Sequence, residues 1–547
     1  MQHIPLHFSI FSGLIGLLCV SFSYAVPPNP QLLHHALETF VSERLDGAVY
    51  KNDKLAALQT FYAERNYRAA WTDSSEQLIR LKTALSFIAT AENEGLDSQY
   101  YHLGRLTQLL EGHASSTRFE LEFLTTLSLM QFANDLYRGR FTASELDPDW
   151  HIPQQTFDAA DFLLSVDDTD SLKQSLMRLA PGIPSYHLLK QALAKFRKLT
   201  AHNVTWQRIP EIPLLRPGES HPAVPLIRAR IDQAYVIHTK PEYNLPASSG
   251  KKANSTLYDR NLVNAIKTFQ LQHGLNADGI IGKHTLKALN KTPAEKIQQL
   301  RINMERLRWL PRAMGSRYLL VNIAGFQLAA VENGQYTLDM RIIVGRHYRS
   351  TPSFNSRITH MIINPYWNIP ASIARKDLLP KQQKNPDFFT AQNIKIYSSY
   401  AYNANLIHPD SINWQTIGNG FPYFLRQEPG IHNALGAIKF MMPNPFSIYL
   451  HDTPSRTLFS KDIRTFSSGC IRLEKPLQLA EFALQERMTQ EALNAQIDTG
   501  ETKQINLPKP LPVYIVYLTA WIDSERSIHY SPDTYQRDKR ALALTGW

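Results

Sequence analysis

The sequence predicts a multidomain protein: a mainly α-helical amino-terminal region, a small three-helix module, and a mostly antiparallel β domain interrupted by a long insertion. Three observations predict it. The chain has 547 residues and 43% hydrophobic content, enough for about three domains with real cores. Apolar residues recur at three- and four-residue steps as far as Leu307, whereas from Tyr318 onward they form short or alternating runs. Between helical stretches, a Pro-rich segment from Ile209 to Pro225 marks a domain boundary.

At the amino terminus, Phe8 to Val20 is an apolar run of thirteen residues, short for a membrane span, and Ser23-Tyr24-Ala25 offers small residues at a signal-peptidase site. The expectation is a signal peptide over residues 1–25 and export of the remainder. The leader lacks Lys and Arg and has only His3 and His7 near its start, so retention as an uncleaved anchor is the alternative. Gly16-Leu17-Leu18 argues against lipidation of Cys19.

Residues 26–221 read as a helical domain. Leu121, Leu124, Leu127, Met130, Ala133 and Tyr137 form one stripe ending before Gly139, and Leu189, Ala192, Leu193 and Phe196 form another. The compact module, residues 222–291, has a helix carrying Leu262, Ile266 and Phe269 that stops at Gly274, a residue suited to a left-handed helix terminus. A turn at Asp278-Gly279 leads to a short helix with Thr285, Leu286 and Leu289, and His238 to Thr256 is a polar, exposed loop. A further helix, residues 292–315, shows Ile297, Leu300, Met304 and Leu307 on one face and ends at Trp309-Leu310-Pro311.

The β domain is residues 316–523, with 524–547 as a tail. Strands are predicted at Tyr318–Ile323, Phe326–Val331 and Tyr336–Val344, the last two joined at Asn333-Gly334, a strong hairpin signal. More follow at Ile358–Ile363, Ala437–Met442, Ser447–His451 and Val513–Trp521. Residues 364–436 are too long for a connection and too aromatic for disorder, with Trp367, Phe388, Phe389, Trp414, Phe421 and Phe424, and Ala371 to Leu379 suits a short helix.

Chemistry concentrates in Tyr449 to Arg472. Cys470 is one of two cysteines, and the other lies in the leader, so the exported protein would have a single thiol. Such a thiol serves as a nucleophile, a small buried apolar residue, or half of an intermolecular disulfide. The polar flank Ser467-Ser468-Gly469 and Arg472 favours exposure, and His451, nineteen residues earlier, is the candidate base. Gly469 lets the backbone approach closely, so the N–H groups of Gly469 and Cys470 are oxyanion candidates. Tyr449 shares a strand face with His451 and adds a hydroxyl, Asp452 is a candidate to orient His451, and Arg472 suits a carboxylate. The Cys/His pair by itself implies acyl transfer and leaves amidase or endopeptidase chemistry open. No zinc-ligand spacing and no nucleotide-binding Gly loop occurs, so neither metal nor cofactor is expected.

His451, a spacer and Ser467-Ser468-Gly469-Cys470-Ile471-Arg472 resemble the active-site signature of the L,D-transpeptidases, the cysteine enzymes that cross-link bacterial peptidoglycan. Ser468 and Arg472 stand where many members have His and Asn, which is similar to the long periplasmic class. Phe61 to Tyr67 with Ala70-Trp71 resembles that class's helical scaffold. Ala265 to Leu275, Asp278 to Gly282 and Thr285 to Asn290 resemble a small peptidoglycan-binding module. The resemblance implies a catalytic domain of L,D-transpeptidase type with residues 364–436 as a lid entered through Asn364 to Pro370, and a returning helix that packs on the scaffold. It implies attack by Cys470 on the third stem-peptide residue, release of D-alanine, 3-3 cross-links, acylation by carbapenems, and substrate contacts at Arg472, Ser468 and Trp367. The partners it implies are stem peptides and glycan strands. A net charge of +10 fits polyanions, which after export means the cell wall and membrane surfaces rather than nucleic acid. A wall-binding protein with a relic cysteine is the non-enzymatic alternative.

Overall fold

The computed structural model describes residues 29–46, 52–112, 117–166, 168–201, 206–238, 255–399, 401, 403–418, 420–485 and 487–547. The leader and Cys19 lie outside the described residues, as does most of the loop between His238 and Thr256. No described helix is long and apolar enough to cross a membrane.

The chain divides into two compact units, and the helical region is shared between them rather than forming one domain: the smaller unit takes the chain up to Ala91, Asp97–Ala133 and Asp158–Met177. Its core contains Phe61, Tyr62, Ala70 and Trp71, all buried. They surround the buried Glu122, whose carboxylate accepts from the Tyr62 hydroxyl at 2.9 Å, the Trp71 N–H at 3.1 Å and the Thr72 hydroxyl at 2.9 Å. A buried carboxylate is tolerated because its oxygens are satisfied in this way.

In the larger unit, the module's helices are Val224–His238, Arg260–Gln272 and Lys283–Leu289. Gly274 has φ +66°, as its place after the second helix requires. The Pro-rich segment is part of this module rather than its boundary. Ile209 and Leu215 enter the module's core, and Leu215 and Ile281 exchange backbone hydrogen bonds at 3.2 and 3.0 Å. The following helix, Pro293–Arg308, starts on a capping box formed by Thr292 and Glu295.

The β domain contains β1 (Arg317–Asn322), β2 (Gln327–Glu332), β3 (Gln335–Gly345) and β4 (Phe354–Ile363). In the insertion lie β5 (Trp367–Ile369), β6 (Ile394–Tyr397), β7 (Leu406–Ile407) and β8 (Phe424–Gln427). After it come β9 (Ile438–Met441), β10 (Leu450–His451), β11 (Thr465–Ser467), β12 (Ile471–Leu473), β13 (Lys503–Val516), β14 (Ala520–Ile522) and β15 (Ile528–Tyr530). The main sheet runs β11-β3-β12-β10-β9-β4-β13-β1-β2, and because β2 also pairs with β3 it closes into a barrel. Most pairings are antiparallel; β1 with β13, β10 with β12 and β11 with β3 are parallel.

Two-residue alternation builds two cores on this sheet. Leu319, Val321, Val513 and Ile515 face the barrel interior, while Leu320, Tyr514 and Val516 face the outer helices, packing with Leu189, Phe196, Leu300 and Leu307. β13 begins ten residues before its predicted start, because Pro508, Pro510 and Pro512 mask it. A register shift between Asn506 and Leu511 accommodates these prolines. The predicted tail is also structured: β15 pairs with β14, and helix Arg537–Thr545 follows. Arg306 pairs with Asp538, and Arg537 with Asp147 at 3.4 Å, both interactions buried.

The insertion is a subdomain with its own sheet, ordered β5-β8-β6-β7, and its own core of Ile369, Phe389, Ile396, Trp414 and Leu425. The helix expected from Ala371 is present as a broken run through Lys384 that includes a π-helical turn, Ala374–Leu378.

Candidate active site

Leu450 and Ile471 pair across β10 and β12 and point into the barrel core. Alternation therefore turns Tyr449, His451, Cys470 and Arg472 to the opposite face. Register sets His451 beside Arg472 on one side and Lys439 of β9 on the other. Cys470 sits just before β12, between two short strands that the sequence pattern does not announce, β11 and β12 being three residues each.

The turn holding Cys470 is tightly bonded. Ser467 Oγ donates to the Cys470 carbonyl at 2.5 Å and accepts the Gly469 N–H at 3.1 Å, and Thr351 Oγ1 donates to the Gly469 carbonyl at 2.8 Å. Gly469 has φ +120°, a conformation that favours glycine. Its N–H is thus engaged by Ser467, which corrects its assignment as an oxyanion donor. Ser468 Oγ accepts from Arg349 Nη1 at 2.8 Å, and Arg349 also pairs with Asp377 of the insertion.

His451 is buried, with 4% exposure, and its Nδ1 lies 2.5 Å from the Asp452 backbone carbonyl. A carbonyl only accepts, so Nδ1 carries the proton in the neutral ring and Nε2 is left as the basic nitrogen. Asp452 therefore orients His451 through its main chain. Its carboxylate instead accepts from the Ala437 N–H at 2.9 Å and pairs with Arg456 at 3.0 Å. Burial, then the Arg472 charge and more weakly Lys439, pushes the imidazole down to about 3, against the opposing Asp452 and Leu435 backbone groups.

Cys470 is half-buried and free. Burial pushes its thiol up, opposed by hydrogen bonds from the Tyr449 backbone and hydroxyl and by the charges of Lys439 and Arg472. The thiol also reaches the Ser447 carbonyl at 3.9 Å. Burial raises the Tyr449 hydroxyl strongly, and the Cys470 charge adds to that. The ring of Tyr449 lies 5.6 Å from that of His451, and Trp367, the first residue of β5, hydrogen-bonds its hydroxyl. Trp367, Tyr449, His451, Cys470 and Arg472 are thus gathered in one place. Lys439 joins them, its Nζ 4.0 Å from the centroid of the Tyr449 ring. Sequence reasoning missed Lys439 because it lies among apolar strand residues; only its outward position in β9 signals it.

Arg472 Nε is buried without a hydrogen-bond partner among the described residues. Burial first, then the neighbouring Arg346, pushes its guanidinium down from the ordinary value. A desolvated cation in a cleft of this kind is suited to an incoming carboxylate. Among the described residues no cluster of His, Cys, Asp and Glu is arranged to hold a metal ion.

Comparison with known proteins agrees with this architecture. Residues 316–515 match the model described as "L,D-transpeptidase catalytic domain", residues 243–289 the "Putative peptidoglycan binding domain", and residues 56–193 the "Scaffold domain". Over 252 residues the chain is 38% identical to a Haemophilus influenzae protein named "Putative L,D-transpeptidase". That match covers 46% of this chain and 50% of the other, so the chain spans about half the length of this curated relative. Among solved structures, an L,D-transpeptidase from Mycobacterium smegmatis is 9% identical, covering 37% of this chain and 58% of that one at a TM-score of 0.18. The L,D-transpeptidase from Xylanimonas cellulosilytica is 14% identical, covering 56% and 99%, also at 0.18. Likenesses that weak carry no argument. The family match and the barrel with its Cys470 turn coincide, and residues 316–515 are an L,D-transpeptidase catalytic domain, carried in one chain with a scaffold domain and a peptidoglycan-binding module.

Proposed function

We propose that the chain is an exported, cell-wall-associated enzyme that forms 3-3 cross-links between peptidoglycan stem peptides. The observation that carries this reading is the single sheet face bearing Tyr449, His451, Cys470 and Arg472 inside an L,D-transpeptidase catalytic domain. His451 Nε2 takes the Cys470 proton, and Sγ bonds to the carbonyl carbon of the third stem-peptide residue. The Tyr449 hydroxyl and the Cys470 N–H donate to the oxyanion. The carbon–nitrogen bond to D-alanine then breaks, and the leaving nitrogen receives the proton from His451. The third-residue amine of a neighbouring stem attacks the thioester, the carbon–sulfur bond breaks and the thiol is regenerated.

Arg472 binds a stem-peptide carboxylate in this scheme, Ser468 and Trp367 line the donor channel, and the insertion acts as a lid that excludes water. Two contacts support the lid reading: Trp367 with Tyr449, and Asp377 through Arg349 with Ser468.

Incubating the purified chain with disaccharide-tetrapeptides and weighing the products tests the proposal. A dimer short of one D-alanine is expected from the native chain and none from Cys470→Ala. Tripeptide as the sole product would replace transpeptidation by carboxypeptidase activity, and dimer formation by Cys470→Ala would remove the nucleophile assignment.

A further inference from the structure

We propose that Lys439 is a positioning residue of the site, whose ammonium holds the Tyr449 ring in place and makes the Cys470 thiolate less costly to form. The inference deepens the nucleophile reading of Cys470, and its test reads the thiol whatever the substrate is.

The geometry is fixed by strand register. Lys439 pairs with His451 across β9 and β10, and its neighbours Ile438 and Phe440 point into the barrel core, so its side chain shares the face of Tyr449 and Cys470. Nζ lies 4.0 Å from the Tyr449 ring centroid, a close cation–π contact in a largely desolvated place, where such contacts are strongest. Among the described residues Lys439 has no carboxylate partner in an ion pair, unlike Arg341, Arg349 and Arg456, which pair with Glu474, Asp377 and Asp452. Burying an ammonium without a counter-charge is unfavourable, and a thiolate at Sγ supplies that counter-charge.

The groups facing Cys470 make the direction unambiguous. From β10 and the residue just before it come a neutral His451 and Tyr449; from β12, Arg472; from β9, Lys439. In the β3–β4 connection, Arg346 acts on Arg472, and Arg349 bonds Ser468 and pairs with Asp377 of the insertion. The field at Sγ is therefore positive, and the cations that also oppose protonation of His451 are Arg472 and Lys439. When Cys470 gives up its proton, the negative charge left on sulfur lies beside these cations and the Tyr449 hydroxyl. Tyr449, steadied from behind by Lys439, then presents that hydroxyl to the sulfur and afterwards to the oxyanion.

The test is the pH profile of Cys470 alkylation by iodoacetamide in the full chain, read by intact mass. In Lys439→Met the thiol loses a favourable charge, so the rise in alkylation should move about one pH unit higher, which is about tenfold slower reaction at a fixed pH below it. Lys439→Arg should stay with the native profile. A profile in Lys439→Met that coincides with the native one, or an equal shift in Lys439→Arg, would overturn the inference.

A second measurement needs no substitution. Linkage is reciprocal, so if Lys439 favours the thiolate, the thiolate must favour protonated Lys439 to the same extent. Capping Cys470 with neutral carbamidomethyl should then lower the titration midpoint of Lys439, followed by NMR of the reductively methylated chain. An unchanged midpoint would overturn the proposal even if the Met variant failed to fold.

Discussion

Asp452 holds His451 with its main chain and not with its acid group: the carbonyl oxygen is 2.5 Å from Nδ1, whereas the carboxylate faces Ala437 and Arg456. Removing the Asp452 charge should therefore cost far less than in a Ser-His-Asp arrangement, where the corresponding Asp→Asn change lowers turnover by about 10⁴. Asp452→Asn keeps an amide oxygen for the Ala437 N–H. Its rate of acylation by a carbapenem, followed by intact mass, should lie within about threefold of native; a loss of a hundredfold or more would return the carboxylate to a catalytic role.

His451→Ala should retain the barrel, since Leu450 on the other face keeps its core contacts. Acylation of Cys470 should fall by about 10²–10⁴, the usual contribution of a general base. A native rate in this variant would mean that another group takes the proton.

The same imidazole makes a prediction about acid stability. Its folded value of about 3 lies below the ordinary 6.5, so the folded state binds the proton less readily than the unfolded chain does. The stabilisation is complete above about pH 6.5 and is lost as pH falls from there toward 3, at up to about 1.4 kcal/mol per pH unit. Native protein should lose melting temperature faster than His451→Gln between pH 6.5 and 4. Parallel curves would show that His451 is not held neutral.

Gly436 has φ +64°, and a Cβ there would collide with the Asp452 carboxylate. Gly436→Ala should destabilise the chain by about 1–3 kcal/mol and disturb the segment that orients His451, lowering melting temperature and acylation rate together. An unaltered acylation rate would show that the Asp452 main chain keeps its place without the carboxylate's bond to Ala437.

Removal of the whole module, from Ile209 to Asn290, should weaken sedimentation with wall sacculi while leaving β-lactam acylation of Cys470. The cut should begin at Ile209 because that residue belongs to the module's core. It also strips His273 from the buried Lys296, 2.9 Å away, so some loss of melting temperature is expected. Loss of acylation in a folded deletion protein would give the module a part in shaping the site.

The helices and the main strands were legible because their apolar periods are long and undisturbed, as in Leu121 to Tyr137 or Tyr318 to Val344. β13 was only half legible, since three prolines interrupt a pattern that a register shift absorbs. β11 and β12 were not legible at all: three residues hold too little of a period, and their pairing is decided by contacts distant in sequence. At the site, Tyr449, His451, Cys470 and Arg472 could be named from residue type and spacing. Lys439 and Arg349 could not, because each acquires its place only when β9 and the β3–β4 connection are folded beside the cysteine turn. The role of Gly469 was misjudged, and the main-chain route by which Asp452 orients His451 was hidden, for a related reason, main-chain and side-chain bonding being invisible to residue type.

Ile363 and Ile438 face each other as partners in β4 and β9, and the Asn364 N–H donates to the Ala437 carbonyl at 2.9 Å. In topological terms the insertion is the turn of a single hairpin, grown until it has a sheet and core of its own. The barrel's register is closed beneath it by β4 and β9, so the insertion can vary above its stem as long as Leu435 and Ala437 keep their bonds to His451 and Asp452. On the proposed function, a different hood grafted above that stem meets the same cysteine, which makes this hairpin the place where acceptor preference can be exchanged.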